Sequence, residues 1–156
     1  MKKRFRFVHY ISWSVLFAFA VMACGGDQKA KEDDNAAVAS LQAMEREVID
    51  VHDEVMPKMA TLNNTRVKLL KQYGDENLSV EKRTGLSTAI MHLEEADSLM
   101  WDWMHNYNRP DYGGNLDSVR VYLENEMVTV TIMRDKFVSS MEEGEALLTK
   151  FSDDDH

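Results

Sequence analysis

Methionine and histidine gather in two short tracts of this sequence, and these tracts define the metal chemistry its side chains could support. The first is His52-Asp53-Glu54-Val55-Met56-Pro57-Lys58-Met59. The second is Met91-His92-Leu93-Glu94-Glu95-Ala96-Asp97-Ser98-Leu99-Met100-Trp101-Asp102-Trp103-Met104-His105. On a helix His52, Met56 and Met59 fall at i, i+4 and i+7 and share a face, as do Met100 and Met104. Thioether and imidazole are soft to borderline donors. A layer built from His52, Met56, Met59, Met100 and Met104 would therefore suit Cu(I), or a haem held by His52 and a methionine opposite. A simpler use competes with this one. Methionine at helical spacing commonly fills gaps in a core, and a histidine flanking an apolar stripe is commonly satisfied by a neighbour. The chain has no dense Met-x-x-Met repeat and no Cys-x-x-Cys-His, so the core-filling use is favoured and no cofactor is expected.

Catalytic patterns are absent from the sequence. A di-iron bundle needs Glu-x-x-His twice, and the nearest approach is a single Asp102-x-x-His105. There is no His-Glu-x-x-His, no Gly-x-Ser-x-Gly and no glycine loop to cradle a phosphate. Glu94, Glu95 and Asp97 cannot all point inward from one helix, so they read as a mainly solvated face. Asp97 alone falls on the apolar stripe, where burial requires a partner; a structural pair with His52 is expected. Trp101 and Trp103 point to different faces, which leaves at least one of them exposed. We read the chain as non-enzymatic.

The only cysteine, Cys24, closes a distinctive opening. Lys2, Lys3, Arg4 and Arg6 precede an apolar run from Phe7 to Ala23, the layout of a secretory signal. That run is shorter than the roughly 20 residues a membrane-spanning helix needs. Val21-Met22-Ala23-Cys24 resembles the lipobox of bacterial lipoproteins. The resemblance implies cleavage before Cys24, lipid on its thiol and acylation of the new amino terminus. One acyl chain binds a membrane only marginally, whereas two or three hold it durably. With Cys24 consumed, neither a disulfide nor a cysteine nucleophile remains. In that family aspartate directly after the cysteine favours retention in the inner membrane; here the position is Gly25, so the outer membrane is implied. Lys31-Glu32-Asp33-Asp34 loosely resembles the acidic export tag of surface lipoproteins in Bacteroidota, although a plain solvated linker is the simpler reading.

Removing residues 1–23 takes four of the 18 basic residues and none of the 27 acidic ones, leaving 14 against 27, a formal charge of −13 on 133 residues. Such a field repels phosphate backbones and anionic headgroups, so no nucleic-acid partner is expected. The expected contacts are the membrane, through the lipid anchor, and a protein partner in the cell envelope.

Three helices must position all of this. From Ala36 to Tyr73 the apolar residues Leu41, Met44, Val48, Val51, Val55, Met59, Leu62, Leu69 and Tyr73 recur mostly three or four apart, a helical stripe. Pro57 interrupts it without a turn cluster, which predicts a kink near 53–56 rather than a break. Ser79 is a suitable N-cap for a second helix ending near Tyr107, with Leu86, Ile90, Leu93, Asp97, Met100 and Met104 as its stripe. Asn108-Arg109-Pro110-Asp111-Tyr112-Gly113-Gly114 is the clearest breaker. A third helix after Asn115 carries Leu116, Val119, Leu123, Met127, Val130, Met133, Phe137, Met141, Leu148 and Phe151. Gly144 within it costs about 1 kcal/mol of helix propensity. Short connections make neighbours antiparallel. The expected fold is all-α: an elongated up-down-up antiparallel three-helix bundle, its first helix kinked at Pro57, with helices roughly 45 to 55 Å long. The expected division is 1–23 signal peptide, 24–35 lipidated flexible tether, 36–152 bundle and 153–156 acidic tail. Antiparallel pairing would bring His52 beside Trp101, with Tyr122, Leu123, Glu126 and Met127 of the third helix at the same level.

The tracts around Met56-Pro57 and from Leu93 to Met104 resemble a group of small helical Bacteroidota lipoproteins, some labelled viral A-type inclusion protein. That resemblance, over about residues 40–107, implies fold and location and carries no activity.

Overall fold

The computed structural model describes residues 26–153, with side chains from 31 to 151. The signal segment, Cys24 and the last three residues of the acidic tail lie outside the described residues. The described chain is all-helical, with no strand: α1 (Gly26–Val55), a single 3-10 turn (Met56–Lys58), α2 (Met59–Tyr73), α3 (Val80–Asn106) and α4 (Leu116–Asp153). Helices α2, α3 and α4 pack against one another. None of the described helices is long and apolar enough to cross a membrane. Contacts divide the chain into two units, Met1–Ala37 and Val38–His156. The described part of the first is helical from Gly26, inside the stretch read above as a tether; everything below concerns the second.

Pro57 explains the division between α1 and α2. Lacking an N–H, it cannot donate to the carbonyl of Asp53, and the chain tightens into one 3-10 turn there. Val55 (φ −107°, ψ −25°) and Lys58 (φ −90°, ψ −2°) nevertheless stay in right-handed helical space. Seven-residue spacing therefore survives the interruption: Leu41, Val48, Val55, Leu62 and Leu69 are all buried. The same interval places Leu86, Leu93 and Met100 inside on α3, and Leu123, Val130, Phe137 and Phe151 on α4. Residues repeating every seven positions keep to one seam of a helix, which is why all of these side chains but Leu41 and Leu123 share one core. Leu41 joins Val119 and Leu123 in a smaller cluster at one end.

Side-chain caps set the helix ends. Ser79 Oγ accepts the Lys82 N–H at 3.2 Å at the start of α3, and Asn115 Oδ1 accepts the Ser118 N–H at 3.0 Å at the start of α4. Arg83 braces the α2–α3 turn by donating to the carbonyls of Tyr73 (3.3 Å) and Asp75 (2.9 Å). Replacing Ser79 with alanine removes only the cap acceptor. A loss of about 1 kcal/mol is expected, read as a melting temperature lower by roughly 2–4 °C in thermal circular dichroism.

Candidate functional site

The two Met/His tracts do meet, through different side chains from those expected. His52, in the last turn of α1, stacks on Trp103 of α3 with ring centroids 5.1 Å apart and planes inclined by 28°. The partner is Trp103 rather than Trp101, two residues along: Trp103 is buried, while Trp101 is half-exposed. The anticipated pairing of His52 with Asp97 does not form. His52 Nδ1 instead lies 2.8 Å from Oδ1 of its neighbour Asp53, and Nε2 is buried without a hydrogen-bond partner. Ala96 takes the innermost slot and Asp97 is only half-buried, because a methyl group costs nothing to bury where a carboxylate does.

The thioethers disperse across different surroundings. Met100 is wholly buried, Met56 on the 3-10 turn is 37 % exposed, and Met59 and Met104 are half-buried against the core. Among the described residues, no group of three or more histidines and carboxylates is arranged to hold a metal ion. The other described histidines have hydrogen-bonding neighbours. His92 Nδ1 meets Glu143 Oε2 at 2.6 Å, joining α3 to α4, and His105 Nδ1 lies 2.7 Å from the Trp101 carbonyl oxygen. Glu94 and Glu95, read above as solvated, are exposed and reach Arg66 (3.5 Å) and Lys136 (2.6 Å).

A more organised constellation surrounds Glu45, which sequence reasoning missed. Its side chain is buried in α1. Tyr112 Oη donates to Glu45 Oε2 at 2.7 Å; Arg109 Nε and Tyr107 Oη donate to Oε1 at 3.1 and 3.3 Å. All three donors come from the end of α3 and the loop after it. Tyr122 Oη accepts the Asn108 N–H at 2.9 Å, pinning the same loop to α4. The rings of His52, Trp103, Tyr107 and Tyr122 follow one another at centroid spacings of 5.1, 5.0 and 6.3 Å. Trp103 Nε1 donates to Glu126 Oε2 at 2.9 Å, on the α4 level expected from the pairing. A cleft of about 600 Å³ opens beside Glu45, lined also by Gln42, Arg46, Ile49, Asp50, Tyr107 and Arg109.

The electrostatics of this cluster favour holding over reacting. Burial pushes the Tyr112 phenol up to about 12, reinforced by its hydrogen bond to Glu45 and that residue's charge. Burial and the Glu45 charge push Tyr107 up further, and burial raises Tyr122. Phenols held protonated at neutral pH serve as donors, not as bases. A hint was present in sequence: Glu45 stands four residues after Leu41 and three before Val48, a stripe position where an ionised group needs partners.

No protein-family model matches the chain, and neither a curated protein nor a solved structure is similar to it.

Proposed function

We propose that this chain is the precursor of an outer-membrane lipoprotein, cut before Cys24 and anchored by acyl groups there, whose helical domain is a non-enzymatic structural or interaction module of the cell envelope. The observation that carries this reading is the placement of the chain's only cysteine: it ends Val21-Met22-Ala23-Cys24, behind a basic and then apolar opening. An interaction role is supported by α4, where Val121, Val128 and Ile132 share one helix face and are each more than half exposed. The domain itself we take to be an up-down-up antiparallel bundle, its first arm bent at Pro57. Cross-helix contacts support that direction. Going down α3 and into the loop after it, His92, Trp103 and then Asn108 meet Glu143, Glu126 and Tyr122. Glu94, Trp103 and Tyr107 likewise meet Arg66, His52 and Glu45.

The test is to express the chain with labelled palmitate and fractionate the membranes. Wild type is expected in the membrane fraction, carrying label and lacking residues 1–23. A Cys24→Ser chain should be unlabelled and should keep residues 1–23, since the cut and both acylations depend on the Cys24 thiol. Equal palmitate label on both chains, or none on either, would sink the anchor.

A second reading, Cu(I) or haem held in the Met/His layer, has one observation in its favour: the buried and unpartnered Nε2 of His52. A Cu(I) titration checks it, and binding no tighter than micromolar rules it out.

A further inference from the structure

The middle of α4 carries a run that the core accounts for only in part. Val128-Thr129-Val130-Thr131-Ile132 is five β-branched residues in succession, inside seven uncharged positions from Met127 to Met133, in a chain that is 29 % charged. Side chains of this kind lose rotamer freedom in a helix, so each is a small cost unless burial offsets it. Val130 is buried, but Val128 and Ile132 are 59 % and 60 % exposed, and Val121, earlier on the same face, is 56 % exposed.

This face has the spacing of a pairing seam. Val121, Asn125, Val128 and Ile132 follow one another at intervals of four, three and four, the alternation that keeps side chains on one line between two helices. All four are exposed, on the side of α4 opposite the buried Leu123, Val130 and Phe137. An open groove of about 530 Å³ lies beside Val121, lined also by Asn115, Asp117, Ser118, Tyr122 and Asn125. Ile132 stands at the other end of the strip, eleven positions on. One surface thus offers both a recess and an apolar projection, as a self-complementary contact requires.

We propose that this face pairs with the same face of a second copy of the chain, the two α4 helices running antiparallel. This names the partner for the interaction role proposed above and rests on that role. Val121 then meets Ile132 of the second copy, and Asn125 meets Val128. The two Asn125 carboxamides flank the two-fold axis three residues apart, roughly 4.5 Å along the helices, where each can hydrogen-bond the other; a polar residue on a seam fixes its register. The charges beside the strip complement one another in this arrangement. Arg120, exposed on one flank, comes within two residues of the exposed Asp135 of the second copy, and symmetry makes the contact twice. Arg134 occupies only Oδ1 of Asp135, at 3.0 and 2.7 Å, so Oδ2 can accept from Arg120. A parallel pair would instead set Asp135, the next seam position after Ile132, against its own copy, and like charges repel. The strip is small for an interface. Confinement of acylated copies to one membrane raises their effective concentration, and a two-fold axis along the membrane normal keeps both anchors in it.

The experiment uses the full chain in its own membranes, palmitate-labelled, with tagged and untagged copies expressed together and oxidised by copper phenanthroline in air. Acylated Cys24 has no free thiol, so wild type should give no disulfide-linked product. V121C/I132C should give a product of twice the chain's mass containing both copies, since facing positions approach the roughly 7 Å between Cα atoms that a disulfide spans. V121C alone should give none, its counterpart lying eleven residues away, about 16.5 Å; a product from V121C alone means parallel pairing and overturns the arrangement. Adding Val128→Glu, at an exposed position, should leave helical circular dichroism unchanged and cut the product at least about tenfold, by placing a carboxylate in the seam. Undiminished product in that folded variant, a product with a different protein, or no product overturns the proposal. The label reads the anchor independently: label without product removes the pairing and leaves the anchor, whereas V121C/I132C product without label, wild type giving none, removes the anchor and leaves the pairing.

Discussion

A Gly144→Leu chain is expected to lose about 3 kcal/mol or more of folding stability, from forcing extra volume into a filled core. Its melting temperature should fall by roughly 6–12 °C, on the usual scale of 2–4 °C per kcal/mol for a chain of this size. Gly144 is buried on α4, seven residues after Phe137 and seven before Phe151. A Cβ there would stand 2.9 Å from Thr65 Cγ2, 3.3 Å from Leu93 Cδ1 and 3.4 Å from Leu69 Cδ1. Thr65 is buried and β-branched, with little rotamer freedom to give way, and both leucines are fully buried. Alanine at 144 gains about 1 kcal/mol of helix propensity and spends it against the Thr65 contact, so G144A should be neutral or mildly destabilising. Gly85 is the control, because a Cβ there meets only Leu147 Cδ2, at an ordinary 3.9 Å. G85A should therefore stabilise by up to about 1 kcal/mol. Chemical denaturation of the three variants reads these signs directly. If G144L unfolds at the wild-type denaturant concentration, α4 does not approach α2 and α3 as closely as described.

Gly144 also shows where sequence reasoning runs short. As a sequence feature it is a defect in a helix; in the fold it is the gap through which α4 meets Thr65, Leu69 and Leu93. The core positions themselves were legible, because an apolar residue every three or four positions has only one face to bury. Leu41, Val48, Leu62, Leu69, Leu86, Leu93, Leu123 and Phe137 all lie inside as expected. The Ser79 cap was legible because a hydroxyl ahead of a stripe has a donor within reach. Ala96 was not distinguishable from Asp97, since neighbouring positions differ by only a fraction of a turn and the choice rests on what the facing helices can accept. The meeting of His52 with the tryptophan tract followed from helix pairing, but pairing could not say which tryptophan the ring would find. Glu45 escaped because its partners lie more than sixty positions away, in a loop whose path no periodicity describes.

Glu45→Ala is expected to cost about 2 kcal/mol, the usual scale for hydrogen bonds to a charged acceptor, with a melting temperature lower by roughly 4–8 °C. The three donors do not share this equally. The Arg109 side chain is 83 % exposed and turns to water at little cost, so the loss rests on the Tyr112 and Tyr107 hydroxyls, which are half-buried beside the missing carboxylate. The same geometry gives an alkaline signature whose sign follows from linkage. The folded value of Tyr112 is about 12, above the ordinary 10.0, so the protonated phenol favours the folded chain. Its contribution is whole below pH 10 and drains away as pH rises from there towards 12. Tyr107 shifts in the same direction and adds to the slope. Wild type should therefore lose stability steeply between pH 9.5 and 11.5, brackets set at roughly half a unit inside and outside that window. A Glu45→Gln chain should lose less over the same interval. With the carboxylate's charge gone, its tyrosinate absorbance should rise at lower pH, though still above the ordinary value because burial, the largest cause, remains. Identical alkaline profiles for the two chains would mean that Glu45 does not set the phenols. The loop from Tyr107 to Tyr112 would then need another reason to lie against α1.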